Sequence, residues 1–167
     1  RASTILFNSM QEMRKLFKKI KANKKISYYD YGRYGSTTTI ELQNIIKELE
    51  QAHHVFLTGT GFGGVSLALF SLCRPDDEIL VSDNVYSPTK EIAEKLLNEF
   101  KVKAKFYNPE NLNDLRNKIS KKTKMILVEN PGSITFEFQD LSKIVEHAKK
   151  QNILTLLDNT WGTALYL

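Results

Sequence analysis

Ile153-Leu154-Thr155-Leu156-Leu157-Asp158-Asn159-Thr160-Trp161-Gly162 is a short, mostly apolar run that ends abruptly in a carboxylate. A run of this length with so little polar interruption predicts a strand buried on both faces. A carboxylate at the carboxyl end of such a strand stands at the rim of an α/β sheet, where ligands bind. The residues upstream can be read as building a site around Asp158.

Those residues alternate between strand and helix signals. His54 to Leu57, Ile79 to Val81, Lys103 to Tyr107, Met125 to Val128 and Ile153 to Leu157 read as strands. Between them, helices are expected over Val65–Leu72, Pro88–Phe100, Leu112–Ile119 and Asp140–Gln151. Five strands separated by four helices predict an α/β fold, a mainly parallel sheet with helices on both faces. Ahead of this, Leu6, Phe7, Met10, Met13, Phe17 and Ile20 form a helical stripe within residues 3–23, clearest from Met10. Tyr28 to Thr37 reads as an ordered loop, and Ser36 to Thr39 offer caps for a helix carrying Leu42, Ile45, Ile46 and Leu49.

Composition narrows the class. The chain has 167 residues, enough for one ordinary domain, with globular proportions of apolar and charged residues. No apolar run approaches the ~20 residues a membrane-crossing helix needs. Arg1-Ala2-Ser3-Thr4 has neither an initiator Met nor a signal-peptide pattern. The single cysteine, Cys73, cannot close an internal disulfide, so a cytoplasmic location is expected, with Cys73 a packing residue. The net charge of +5 comes mostly from lysine, densest at Lys18-Lys19-Ile20-Lys21 with Lys24-Lys25. Without interleaved aromatic residues or a nucleic-acid module, this reads as a solvated face; no nucleic acid, membrane or metal is expected as a partner.

Gly59-Thr60-Gly61-Phe62-Gly63-Gly64 lies between a strand and a helix and reads as an anion-binding turn. Gly59, Gly61 and Gly64 satisfy the dinucleotide pattern, with Asp83 a suitable distance downstream to hold a ribose. Other residues fit pyridoxal phosphate. Asp158 could pair with a protonated ring nitrogen, the condition for an electron sink. Tyr86, after the second strand, could stack on a flat ring. Tyr31 and Arg33 could reach a phosphate with a phenol and a guanidinium. The dinucleotide reading leaves these residues without a task; the pyridoxal reading uses them all.

In these segments the sequence resembles the Cys/Met-metabolism group of pyridoxal-phosphate enzymes, whose members include cystathionine β- and γ-lyases, cystathionine γ-synthase and methionine γ-lyase. Arg1–Thr4, Tyr31–Ser36, the glycine turn, Asp83–Tyr86, Glu129–Thr135 and Asp158–Trp161 follow family order over essentially the whole chain. Glu129-Asn130-Pro131-Gly132-Ser133-Ile134-Thr135 is similar to the bacterial cystathionine β-lyase form, and γ-acting members have asparagine where Ser133 stands. The resemblance implies an aspartate-aminotransferase-like large domain. It also implies that Gly61 and Phe62 hold the cofactor phosphate through backbone groups, that Tyr86 stacks on the ring and assists proton movement, and that Asp158 pairs with the ring nitrogen. Tyr31 and Arg33 would bind the phosphate of a neighbouring subunit's cofactor, which implies a dimer or dimer of dimers. Phe62 is bulkier than the family's usual residue, and Gly63-Gly64 replace alanines.

The implied reaction is β-elimination of cystathionine to homocysteine, pyruvate and ammonia, in methionine biosynthesis. The family's Schiff-base lysine follows the Asp-Asn-Thr-Trp segment, and the chain stops at Leu167 before it. Ser87-Pro88-Thr89-Lys90 imitates that lysine's setting but precedes the aspartate strand. The expected organisation is an arm and cross-subunit loop over residues 1–40, an incomplete cofactor domain over 41–167 and no C-terminal domain. The expected activity of the chain by itself is nil. A dinucleotide-binding oxidoreductase domain and a non-catalytic association module are the alternative readings.

Overall fold

The computed structural model describes residues 3–22 and 31–166. Arg1 and Ala2 of the first motif, Lys24 and Lys25 of the basic cluster, and Tyr28 to Asp30 lie outside the described residues. The chain forms two compact units, Arg1–Leu57 and Thr58–Leu167.

In the first unit, α1 spans Met10–Ala22, where the apolar stripe is clearest. Thr4 bridges Tyr31 in antiparallel fashion, and the Gly32 N–H donates to the Ser3 carbonyl at 2.7 Å. A 3-10 turn covers Gly32–Tyr34. Helix α2, Thr37–Leu49, starts where the caps predict it: the Ser36 oxygen accepts from the Thr39 N–H, and Thr39 returns the bond to the Ser36 N–H. The expected strand at His54–Leu57 does not form. A strand needs a ladder, and here the Val55 carbonyl accepts instead from the Gln43 side-chain amide at 2.8 Å.

The second unit opens with α3, Gly61–Leu72. It is followed by β1 (Glu78–Ser82), β2 (Lys103–Tyr107), β3 (Thr123–Glu129) and β4 (Leu154–Asp158). All pairings are parallel, in the order β2-β1-β3-β4. The sheet thus has four strands among the described residues, one fewer than the sequence suggested, because the His54–Leu57 segment stays outside it.

Alternation along the two central strands divides the core. Ile79, Val81, Met125 and Leu127 face one side. There they meet Val65 and Leu69 of α3, and Ile92, Ala93 and Leu97 of the helical stretch after β1. That stretch is not one plain α-helix. It runs as α4 (Ser87–Glu91), a π-helical turn (Ile92–Leu96) and α5 (Leu97–Glu99). Leu80, Ile126 and Val128 face the other side, against Leu115 of α6 (Leu112–Lys118) and Ile144 and Ala148 of α7 (Leu141–Lys150). Cys73 is buried and unpaired, and burial pushes its thiol pKa up, as suits a packing residue. A last short helix, α8, covers Thr163–Tyr166.

Strand β4 departs from the expectation of burial on both faces. It pairs only with β3, and Leu154 and Leu157 are each 39% exposed. The apolar run is real, but β4 sits at the margin of the described sheet, where it has one neighbour rather than two.

The chain moves from β1 outward to β2, then crosses back over β1 to β3, and its covering helices change face at that step. The carboxyl ends of β1 and β3 therefore flank a topological switch point, where α/β sheets bind ligands. A buried polar network fixes these ends. The Tyr107 hydroxyl donates to Gln139 Oε1 at 2.8 Å, and Gln139 Nε2 donates to Ser82 Oγ at 2.9 Å and the Glu129 carbonyl at 3.1 Å. The Gln139 N–H donates to Asn130 Oδ1 at 2.6 Å, and the Ser82 hydroxyl donates to Asn84 Oδ1.

Gly132 packs directly on the buried Asn84 side chain; a Cβ there would come within 2.7 Å of Asn84 Cγ. Gly132→Ala must therefore dislodge a side chain that the Ser82 hydroxyl already holds. We expect a stability loss of about 1–3 kcal/mol in urea denaturation with an unchanged m-value. An unchanged midpoint would show that Asn84 moves aside freely.

Candidate functional site

The carboxyl ends of the strands carry the site, all of it within the second unit. A cavity of about 300 Å³ opens there. Gly61 and Phe62 reach it from the start of α3, Tyr86 and Thr89 from the connection after β1, and Glu129 and Ser133 from the end of β3. Asp158, Thr160 and Trp161 close it beyond β4. The size is at the lower end for small-molecule sites.

Local chemistry explains each position. Thr60 caps α3, its side-chain oxygen accepting the Gly63 N–H at 2.9 Å, while the Gly64 N–H donates to the Thr60 carbonyl. The Gly61 and Phe62 N–H groups occupy the first two helical positions and have no acceptor within the helix. A Cβ at Gly61 would meet nothing within 4 Å, so glycine leaves the backbone bare on this wall of the cavity. Free N–H groups at the start of a helix attract an anion.

Pro88 lies in the first turn of α4, just after its N-cap Tyr86, which is 48% exposed. The Tyr86 N–H donates to Glu129 Oε2 at 2.6 Å. Glu129 and Asp158 are register partners at the ends of β3 and β4, so two carboxylates stand side by side. Asp158 Oδ1 accepts the Thr160 N–H at 3.1 Å and the Thr160 hydroxyl at 2.6 Å. Among the described residues no hydrogen bond engages Asp158 Oδ2. Trp161 packs edge-on against Phe136, ring centroids 4.9 Å apart.

These features suit pyridoxal phosphate: unengaged N–H groups for a phosphate, an aromatic face for a ring, and a carboxylate with a free oxygen for a protonated ring nitrogen. The buried Thr89 hydroxyl, which lacks any partner among the described residues, adds a further polar group on the same cavity.

Four of the residues singled out from sequence, Gly61, Phe62, Tyr86 and Asp158, therefore come together. Tyr31 and Arg33 lie in the first unit, where the Arg33 guanidinium sits 5.3 Å from the exposed Tyr31 ring. Asp83 does not share the glycine-turn cavity. It pairs with Lys90 at 2.5 Å, and both line a separate hollow with Phe106. The glycines and acid of the dinucleotide pattern are thus not assembled around one space. Lys90, the imitation of the Schiff-base lysine, is also outside the Asp158 cavity.

Sequence reasoning missed Thr89, Thr160 and Trp161 as wall residues and treated Glu129 only as a motif marker. The rule that selected Asp158, a carboxylate ending an apolar strand, applies equally to Glu129. Thr89 stands one helical turn beyond Tyr86, a spacing that puts both on one face.

Comparison with known proteins agrees with this geometry. The sequence profile of the family described as "Cys/Met metabolism PLP-dependent enzyme" matches residues 1–167. A Saccharomyces cerevisiae protein provisionally named cystathionine beta-lyase is 40% identical over 136 residues, 81% of this chain and 40% of the relative. Cystathionine beta-lyase of Bordetella avium is 31% identical over 163 residues, 98% of this chain and 40% of the relative. The chain thus spans about two fifths of the curated relatives it matches. A Campylobacter jejuni structure provisionally named O-acetylhomoserine (thiol)-lyase superposes with a TM-score of 0.80 at 22% identity. The match covers 97% of this chain and 39% of that one, which carries N'-pyridoxyl-lysine-5'-monophosphate. The parallel sheet with its two helical layers is the fold of such enzymes.

Burial raises the Glu129 carboxyl pKa; the Tyr86 N–H and the Ser133 hydroxyl pull it down, and the Asp158 charge pushes it up again. With the native pKa raised, this group's contribution to stability is present below the unfolded carboxylate range and is lost as pH rises through the native value. Glu129→Gln keeps an acceptor for Tyr86 and removes the charge. Thermal melts from about pH 4 to pH 8 should show the variant at or above wild type at neutral pH, with the difference fading towards acid. A uniform loss at every pH would show that the bond to Tyr86, not the charge, dominates.

Proposed function

The chain belongs to the Cys/Met-metabolism family of pyridoxal-phosphate enzymes, and from that premise we propose that it forms the cofactor-binding part of a carbon–sulfur β-lyase. The reaction is cleavage of cystathionine to homocysteine, pyruvate and ammonia in methionine biosynthesis. The observation that carries this reading is the convergence of Asp158, Tyr86, Ser133 and the start of α3 on one cavity. Ser133 stands on that wall where the γ-acting members resembled by this sequence have asparagine. The names of the yeast and Bordetella relatives support the same assignment.

Pyridoxal phosphate, when bound, supplies an electron sink conjugated to the substrate's α-carbon. This chain's residues make that sink usable. Asp158 keeps a proton on the ring nitrogen through its unengaged oxygen, while Thr160 fixes the other oxygen. The Gly61 and Phe62 N–H groups hold the phosphate without a cationic side chain. Tyr86 would cover the face of the ring and, through its phenol, help move a proton. Glu129 holds the Tyr86 backbone and so sets the height of that ring. Tyr31 and Arg33 bind the phosphate of a neighbouring subunit's cofactor in a homo-oligomer. Among the described residues no carboxylate forms an ion pair with Arg33, which leaves its guanidinium available for that contact.

Among the described residues no lysine lines the cavity, so these 167 residues by themselves are expected to lack the amine that carries the cofactor and shuttles the α-proton. The free Cys73 thiol supports work in a reducing compartment, the cytoplasm. Among the described residues no helix is long and apolar enough to cross a membrane.

The test uses the protein at its natural length, incubated with cystathionine and pyridoxal phosphate. Pyruvate is the expected 2-oxo acid; 2-oxobutyrate would instead mean γ-cleavage and would sink the β-lyase reading. Asp158→Asn should lower pyruvate formation by about 10²–10³-fold, the cost of losing one such electrostatic partner. A second expectation concerns the 167-residue chain alone, which should release no pyruvate above background; measurable turnover would return attention to Lys90.

A further inference from the structure

One polar atom of this cavity is unexplained by the protein itself. Thr89 is 2% exposed, and its hydroxyl has no hydrogen-bond partner among the described residues. A threonine in a helix normally disposes of its hydroxyl on the carbonyl three or four residues back. Here the carbonyl three residues back, on Tyr86, already accepts the Thr89 N–H at 2.9 Å and the Lys90 N–H at 3.1 Å. Both of its acceptor positions are used by the first turn of α4, and the hydroxyl is excluded from them.

An unsatisfied buried hydroxyl destabilises the folded chain unless something else engages it. Among the described residues, buried side-chain atoms of Asn84, Glu137 and Asn159 also lack partners. None of those residues lines the cavity shared by Gly61, Tyr86 and Asp158, whereas Thr89 does. The orphaned hydroxyl therefore belongs to a residue of the cavity wall. Pyridoxal phosphate brings acceptor oxygens, on its phosphate and its phenol, to a wall whose other hydroxyls, Thr160 and Ser133, are engaged by Asp158 and Glu129. A hydroxyl is the side-chain donor that wall contributes at this point.

Resting on the pyridoxal-phosphate reading of the site, we propose that Thr89 is a further cofactor-binding residue, whose hydroxyl is left unpartnered by the protein and donates to an acceptor oxygen of bound pyridoxal phosphate. Two consequences have opposite signs. Removing the hydroxyl weakens cofactor binding. The same change relieves the apoprotein of an unsatisfied polar atom. A threonine with a purely structural role would lose stability in the apoprotein instead.

The experiment compares wild type, Thr89→Val and Thr89→Ser, each purified at natural length and stripped of cofactor. Pyridoxal phosphate affinity is read by equilibrium absorbance titration, and apoprotein stability by thermal melting. We expect Thr89→Val to bind about tenfold more weakly, the loss of one hydrogen bond, while its apoprotein melts at or above the wild-type temperature. Thr89→Ser, which keeps the hydroxyl and lacks only the methyl, should bind close to wild type. Equal affinity of Thr89→Val and wild type overturns the proposal. So does a lowered apoprotein melting temperature in Thr89→Val, or a Thr89→Ser variant as weak as the valine one. Failure of the wild-type protein itself to bind pyridoxal phosphate overturns the functional reading, and this inference with it; that result is visible before any variant is made.

Discussion

The hydrogen bond from the Tyr86 N–H to the Glu129 carboxylate is the constraint on which the site depends. It joins the loop after β1 to the end of β3, across the point where the chain reverses its direction through the sheet. Strands β1 and β3 are hydrogen-bonded neighbours, so their ends are fixed a strand spacing apart. Beyond those ends, the two loops are tied by the Ser133 N–H, which donates to the Asn84 carbonyl at 2.9 Å. The 2.6 Å bond adds a second tie, at the residue that presents the aromatic ring. A carboxylate does this better than a neutral acceptor, since charged acceptors form shorter and stronger bonds. Its drawback is a buried negative charge beside Asp158.

The switch point arises from which face each crossover uses. The connection from β1 to β2 lays its helices against Ile79 and Val81, and those from β2 to β3 and from β3 to β4 lay theirs against Leu80, Ile126 and Val128. Alternation along a strand gives each helix its own set of apolar partners. Neither layer can cover the gap between the ends of β1 and β3, because each helix leaves in a different direction. The Tyr107–Gln139–Ser82–Asn84 network fills the buried part of that gap. Its members bond one another, so the polar interior there strengthens the scaffold.

Much of this was legible in the sequence because the informative residues are local. Short apolar runs marked the four strands of the described sheet within a residue or two. The glycine turn marked the approach to α3, although the helix begins at Gly61, earlier than the apolar run from Val65 suggested. The His54–Leu57 run failed because apolar composition shows only that a strand could form; a ladder partner, which no local pattern encodes, decides whether it does. The burial of β4 failed for the same reason, since whether a strand has one neighbour or two is not written within it. The π-helical turn at Ile92–Leu96 has no signature in a stretch that satisfies an α-helical stripe equally well. At the site, Asp158 and Tyr86 could be found one at a time, while the dependence of Tyr86 on Glu129 joins residues 43 positions apart.

The cavity also concentrates the chain's unfavourable local choices. A carboxylate is buried next to another carboxylate, a threonine hydroxyl is buried without a partner, and a helix start keeps two N–H groups unengaged. A few residues away, the Gln139 N–H, Oε1 and Nε2 all have partners. The contrast argues against a general looseness of this end of the sheet. A fold able to satisfy Gln139 in several directions has the means to satisfy Thr89. Several local conflicts gathered on one wall are the expected mark of a surface shaped for a ligand. The wall carries both signs: a positive helix start and a carboxylate with a free oxygen. A dianionic phosphate and a protonated ring nitrogen, joined by a flat ring that Tyr86 can cover, complement that pair of charges, and no single group of one sign would.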